Sequence, residues 1–171
     1  IVPLHEGLAN APIAQRIASA LTEMGSRAAV LDASAAERSA EWFNNFEAAH
    51  DIVLYRGDSP NSAWTHICVR QADRILLLAR SDHPLPLRPL DIPFFKERAV
   101  GLPELLLLHP EGGPAGLPEH FALRSGLFES HHQIRAGRPD DVRRLARFIS
   151  RRAVGLVLAG GGARGCAHIG I

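Results

Sequence analysis

Three short runs constrain this chain more than any other feature: "DIVLY" (Asp51 to Tyr55), "RILLLA" (Arg74 to Ala79) and "ELLLLH" (Glu104 to His109). Each is almost uninterrupted apolar sequence over the length of one strand. A strand with one wet face alternates apolar and polar residues, whereas an unbroken run is what a strand needs when both faces are covered. Helices on both faces of a sheet imply crossover connections and therefore parallel strands.

The segments around these runs fit that demand. "IVPL" (Ile1 to Leu4) precedes "APIAQRIASALTEMG", where Ile13, Ile17, Leu21 and Met24 recur at helical spacing and Gly25 supplies a stop. "RAAVLD" (Arg27 to Asp32) reads as a strand. Ser34 is the expected cap of a helix through residues 35–50 that turns Trp42, Phe43 and Phe46 inward. "NSAWTHICVRQAD" (Asn61 to Asp73) reads as a helix with Trp64, Ile67 and Cys68 inward. The order is β-α-β-α-β-α-β, which predicts an α/β fold, a Rossmann-like, mostly parallel sheet.

After His109 the texture changes. "PEGGPAGLPEH" is rich in glycine and proline, and from Arg124 to Arg152 eight arginines face only Glu129, Asp140 and Asp141. A helix is expected from about Pro139 to Ser150, with Val142, Leu145, Phe148 and Ile149 on one face. We divide the chain into an α/β unit at 1–110, a connector with one helix at 111–152, and the start of a second unit at 153–171. Ile1 reads as mid-strand and Ile171 as the first turn of a helix, so the chain is expected to be part of something longer.

Composition removes several function classes. Net charge is +1 and 46% of residues are hydrophobic, which speaks against disorder and against a nucleic-acid partner. Cys68 and Cys166 stand far apart without ligand spacing, so no disulfide framework, metal site or cofactor is expected. No apolar run reaches the length of a membrane span and no signal peptide shows; a cytoplasmic setting is expected. The arginine-rich connector has two accounts. It is a solvated linker whose charges pair with nearby acids, or it lies peripherally on a membrane against anionic head groups.

The last stretch, "AVGLVLAGGGARGCAHIGI" (Ala153 to Ile171), sends an apolar run into a glycine knot and out into helix-like sequence. Gly160, Gly162 and Gly165 satisfy G-x-G-x-x-G, the pattern of a dinucleotide site at a helix N-terminus. The same geometry serves an oxyanion hole, since consecutive amides without Cβ atoms in the way can converge on an oxygen gaining charge. A third account is a tight strand-to-helix turn and nothing more. Three consecutive glycines followed by Ala163, Arg164, Cys166, Ala167 and His168 favour the oxyanion reading.

That string, "LVLAGGGARGCAHIGI", resembles the opening of a patatin-like phospholipase domain, most closely that of the neuropathy target esterase branch. The resemblance implies a serine hydrolase acting on carboxylic esters of phospholipids or lysophospholipids. It places Gly160, Gly161, Gly162, Ala163, Arg164 and Gly165 in the oxyanion loop. It also implies a catalytic Ser in a later G-x-S-x-G and a distant Asp, neither of which is present here. The near miss Gly57-Asp58-Ser59-Pro60-Asn61 ends in Asn and carries a Pro where an elbow must run into a helix. No catalytic residue is therefore expected within these 171 residues, and the segment alone is expected to be inactive. His168 is expected to pack, because the family's dyad uses no His, and Cys166 to be a small core residue.

Upstream, Asp58, Trp64-Thr65 and Arg70-Gln71-Ala72-Asp73, together with "LLLLHPE" and "SHHQIR", are similar in order to the segment preceding that domain in the same branch. The α/β unit also resembles a decayed P-loop ATPase of the kind that partitions chromosomes and plasmids. Two rival readings stand beside the hydrolase: a dinucleotide-binding protein using Gly160 to Gly165, and a non-catalytic regulatory or interaction module. Asp58 is expected to be a turn former and Asp73 to bond nearby backbone. His131 and His132, adjacent on a loop, are expected to diverge and hold no metal.

A working P-loop requires G-x-x-x-x-G-K-[ST] directly after the first strand, because its Lys and hydroxyl hold phosphate and Mg²⁺. Here "HEGLANAP" follows Leu4, and the one Lys of the chain is Lys96. The purified chain is accordingly expected to release no phosphate from ATP; magnesium-dependent turnover above a buffer control would overturn this.

Overall fold

A computed structural model describes residues 1–85, 101–111 and 125–155. Among the described residues six strands are formed: β1 (Val2–Pro3), β2 (Ala28–Leu31), β3 (Ile52–Tyr55), β4 (Leu76–Arg80), β5 (Glu104–His109) and β6 (His131–Arg135). The helices are α1 (Ala11–Glu23), α2 (Ala40–Ala48), α3 (Ala63–Gln71) and α4 (Pro139–Ile149). Every strand pairing is parallel, β1-β4-β5-β6 in one ladder and β2-β3 in another. The ladders meet at Ile1, whose amino group donates to the Tyr55 carbonyl at 2.6 Å while its own carbonyl accepts from Gly57 N at 2.9 Å. The spatial order is thus β2-β3-β1-β4-β5-β6.

Period-2 alternation explains why the central runs are apolar throughout. Leu76, Leu78, Leu106 and Ile134 point to the face covered by Ile13, Ile17 and Leu21 of α1 and by Val142, Leu145 and Ala146 of α4. Leu77, Ala79, Leu105 and Leu107 point to the opposite face, with Val69 of α3 and Phe128. On that side, at the β2-β3 end, Leu31 and Tyr55 form a smaller cluster with Phe43 of α2 and with Trp64 and Cys68 of α3. Both faces are dry, which is the doubly wound arrangement that the sequence indicates.

Local signals fix the helix ends. Gly25 follows α1 with φ of +84°, a conformation that costs glycine nothing, and its N–H closes onto Thr22 O. The cap of α2 is Ser39, which accepts from Trp42 N, and not Ser34. Asp32 accepts from both the N–H and the hydroxyl of Ser34, so residues 33–35 close a separate 3-10 turn and the helix starts later. Of the three aromatics expected inward on α2, Phe43 is buried and Trp42 and Phe46 are half-buried.

Residues 131–135 form a strand, where the sequence reading has a loop. β6 pairs with β5 over Leu105 to His109, and α4 packs on α1, so this part of the connector belongs to the sheet and core of the first unit. Asp141 anchors it, accepting from Arg135 N at 3.0 Å and from the Nε and Nη2 of the Arg135 guanidinium at 2.8 Å each. Those guanidinium bonds hold the Asp141 carboxyl down to about 2.

Leu106 is fully buried at the centre of the α1–α4 face. Leu106→Ala is expected to lower stability by about 2–5 kcal/mol, through lost transfer energy plus the cavity left behind. Urea denaturation with an unchanged slope would check it, and a loss below ~1 kcal/mol would contradict the packing described here.

Candidate functional site

In an open parallel sheet, ligands bind outside the carboxyl ends of the strands, at the point where successive connections depart in opposite directions. Here that point is β1: the chain leaves it toward β2 on one side and later crosses from β3 to β4 on the other. His5 to Asn10 follow β1, Arg56 to Asp58 follow β3, and Ser81 to His83 follow β4.

One half of this edge is bonded to itself. Asn10 Nδ2 donates to Gly57 O at 2.6 Å, and Arg56 reaches Asn10 Oδ1 at 3.3 Å and Asp32 Oδ2 at 3.0 Å. Asp58 Oδ1 accepts from Ser59 N at 2.9 Å, from Thr65 Oγ1 at 3.3 Å and from the Ser62 hydroxyl, while Ser62 Oγ caps α3 through Thr65 N at 3.0 Å. Burial opposes ionisation of Asp58, but these donors hold its carboxyl below the usual range. A Cβ on Gly57 would stand 2.6 Å from Thr65 Oγ1, so close packing requires glycine there. Asp58 is therefore a turn former and helix support, as expected.

The other half is a cavity of ≈ 600 Å³ whose walls include His5, Leu8, Arg16, Arg80, His83 and His109. His5 and His83 stand with ring centroids 5.9 Å apart. Burial and the nearby His83 keep the His5 imidazole below its ordinary pKa. Arg80 is engaged by Asp82 at 2.9 and 2.6 Å. A second cavity, ≈ 620 Å³, lies at the opposite edge beside Ile1, Ile52, Asp73, Arg74 and Arg152.

The remaining sequence candidates fall as follows. Gly160, Gly161, Gly162, Ala163, Arg164 and Gly165, with Cys166 and His168, lie outside the described residues. Asp73 is exposed and makes no hydrogen bond among the described residues, in place of the backbone bond expected. Cys68 is buried and its thiol is pushed up to about 12 by that burial, which makes it a core residue. Among the described residues no group of three or more His, Cys, Asp or Glu is placed to hold a metal ion. No described helix is long and apolar enough to cross a membrane. Of the connector arginines, Arg135 pairs with Asp141 and Arg143 with Asp140 and Glu23, while Arg144 and Arg152 donate to the carbonyls of Gln133 and Met24.

His131 and His132 do diverge, one exposed and one buried, but because they alternate along a strand. His132 Nε2 lies 2.9 Å from Glu104 Oε2 and 3.2 Å from Ser130 Oγ, and Arg74 Nε donates to Glu104 Oε1 at 2.7 Å. Serine, histidine and carboxylate are thus together, yet both partners address the same ring nitrogen. A proton relay needs one partner on each nitrogen, so this cluster is a structural tie across β4, β5 and β6. Sequence reasoning missed it; the available signal was a charge opening each of two apolar runs, Arg74 and Glu104.

The fold and edge define a parallel α/β domain of P-loop-like class in which the phosphate loop is replaced. Residues 1–151 match the family described as "Neuropathy Target Esterase family P-loop like domain", and the chain belongs to that family. It is 35% identical to human "Patatin-like phospholipase domain-containing protein 6" and 36% identical to rat "Patatin-like phospholipase domain-containing protein 7", in each case over 84% of this chain and 12% of the relative. It is 31% identical to "Neuropathy target esterase sws" of Drosophila persimilis over 83% of this chain and 12% of that protein. The chain thus spans about an eighth of the length of these relatives. No solved structure matches it.

Burial opposes ionisation of Glu104, but the His132 and Arg74 hydrogen bonds hold its carboxyl below the usual glutamate range. Its stabilisation is complete above the unfolded glutamate pKa and is lost as pH falls through the lower folded value. Glu104→Ala is expected to cost about 3 kcal/mol at pH 7, because it strands two partners of a buried pair. Denaturation of variant and parent should converge as pH falls through the lowered folded value; a pH-independent difference would contradict the pairing.

Proposed function

We propose that this chain is the part of a patatin-like serine hydrolase, acting on carboxylic esters of phospholipids or lysophospholipids, that joins a non-catalytic P-loop-like domain to the oxyanion loop. The observation that carries the reading is the string Gly160-Gly161-Gly162-Ala163-Arg164-Gly165, standing directly after a domain of the neuropathy target esterase family. The relatives named as patatin-like phospholipase domain-containing proteins support it.

In this reading a downstream Ser attacks the acyl carbonyl with an Asp as base, and the electron pair of the carbonyl moves onto oxygen. The amides of Gly160 to Gly165 then donate to that oxygen. Such donors act in the transition state more than in the ground state, so losing one removes about 3–4 kcal/mol from the barrier reduction. The domain at 1–151 supplies no nucleophile. Its role is to hold and orient the segment that enters the hydrolase on the cytoplasmic side of a membrane, where lipid substrate is met.

A protein extended through the downstream nucleophile is expected to form a covalent adduct with a fluorophosphonate probe, and the 171-residue chain alone to form none. Gly161→Pro in the extended protein, which deletes one amide hydrogen, is expected to lower kcat by about 10²–10³ with its melting midpoint retained. An extended, folded protein that hydrolyses no ester and takes no probe would remove the reading.

A further inference from the structure

The cavity at the carboxyl ends of β1, β4 and β5 is not used by the proposed hydrolase chemistry, and two polar atoms of its lining residues have no partner among the described residues. His109, the last residue of β5, is only 3% exposed and its Nε2 has no hydrogen-bond partner among the described residues. His5, the first residue of the β1–α1 loop, lines the same cavity, and its Nε2 is likewise sealed from solvent without a partner. Buried polar atoms are nearly always bonded, so two unpartnered ones on residues that line one cavity mark groups whose partner is a ligand.

The surrounding charge selects the ligand's sign. Arg16, on the exposed side of α1, borders the cavity and has no ion-pair partner among the described residues. The amino end of the 13-residue helix α1 contributes Ala9, Pro12 and Ile13 to the wall. That end has no side-chain cap and no acid in its first turn, because Asn10 is turned away to Gly57 and Arg56. Uncapped amides, the positive end of the helix and an unpaired guanidinium all favour an anion. The opposing carboxylates are Glu6, in the wall, and Asp82, which is neutralised by Arg80 and also holds His83 at 2.9 Å. A metal ion is disfavoured, since no suitable set of three ligands is present among the described residues.

We infer that this cavity binds a small phosphate monoester, its phosphoryl oxygens taken by His5, His109, Arg16 and the amino end of α1. Leu8, Leu108 and Ile134 leave an apolar wall for the organic part of the ester. This is not a P-loop reconstituted: imidazoles and a helix-borne arginine stand where a lysine and a glycine cradle would be.

The test is a titration of the chain followed through its imidazole ¹⁵N resonances, with inorganic phosphate, glycerol 3-phosphate, AMP and, as a neutral control, glycerol. Saturable shifts of His5 and His109 with phosphate and with at least one of the two esters, and none with glycerol, are expected. Tighter binding of glycerol 3-phosphate points to a lipid-headgroup source, and tighter binding of AMP to a nucleotide. Arg16→Glu, at an exposed position that leaves the core intact, is expected to weaken binding about tenfold or more, ~1.4 kcal/mol, the scale of one charge-assisted bond. His109→Leu is expected to abolish it; Arg16→Glu keeps the inference testable should that buried substitution fail to fold. Absence of any shift at His5 and His109 at millimolar phosphate, or equal affinity of Arg16→Glu and the parent, would overturn it. Neither result depends on the hydrolase reading, which stands or falls on the fluorophosphonate adduct.

Discussion

Burial of the sheet on both faces governs everything else in this domain. Leu77, Leu78, Leu105, Leu106 and Leu107 are each at or below 1% exposure, and no polar side chain can enter that layer without stranding its hydrogen bonds. Polar chemistry is therefore confined to the two edges where strands end. At the amino edge it takes the form of Arg74, Glu104, Ser130 and His132 tied together, and at the carboxyl edge that of the Asn10–Arg56–Asp32 and Asp58–Ser62–Thr65 bonds beside the histidine-lined cavity.

The two edges differ in kind. At the amino edge the buried charges are tied together: Glu104 accepts from Arg74 and faces His132, and the Arg74 guanidinium and the His132 ring lie 4.8 and 4.6 Å from the Phe148 ring of α4. This arrangement locks β4, β5, β6 and α4 to one another and does no chemistry. At the carboxyl edge the β2–β3 half is closed in the same way, but the half beneath α1 retains two sealed imidazole nitrogens without partners among the described residues. The same strand, β5, begins in a satisfied acid and ends in an unsatisfied base.

Much of this was legible in the sequence, for a physical reason. Apolar runs such as "ILLLA" and "ELLLL" have the length of one strand and suit a strand covered on both faces, and Ile13, Ile17 and Leu21 place α1 by periodicity. The strand at 131–135 was not legible, because "HHQIR" looks polar until the buried His132 is seen to be paired with Glu104, 28 positions earlier. The start of α2 was misread for a local reason: Asp32 competes for Ser34 and wins, leaving Ser39 as the cap. His109 and His5 gave no signal, since a histidine after an apolar run looks the same whether its ring is satisfied or not. The residues of the glycine loop, the most specific string in the sequence, carry the family resemblance and lie outside the described part.

The course of α4 has a mechanical consequence. It begins beside Asp141 at the carboxyl edge and ends at the amino edge, where Arg74 bonds the Phe148 and Ile149 carbonyls and Arg152 bonds the end of α1. Its eleven residues span about 16 Å, so the chain departs toward the glycine loop from the side of the sheet remote from the histidine cavity. Along that course α4 lies side by side with α1, so the two helices together brace one face of the sheet from its carboxyl edge to its amino edge.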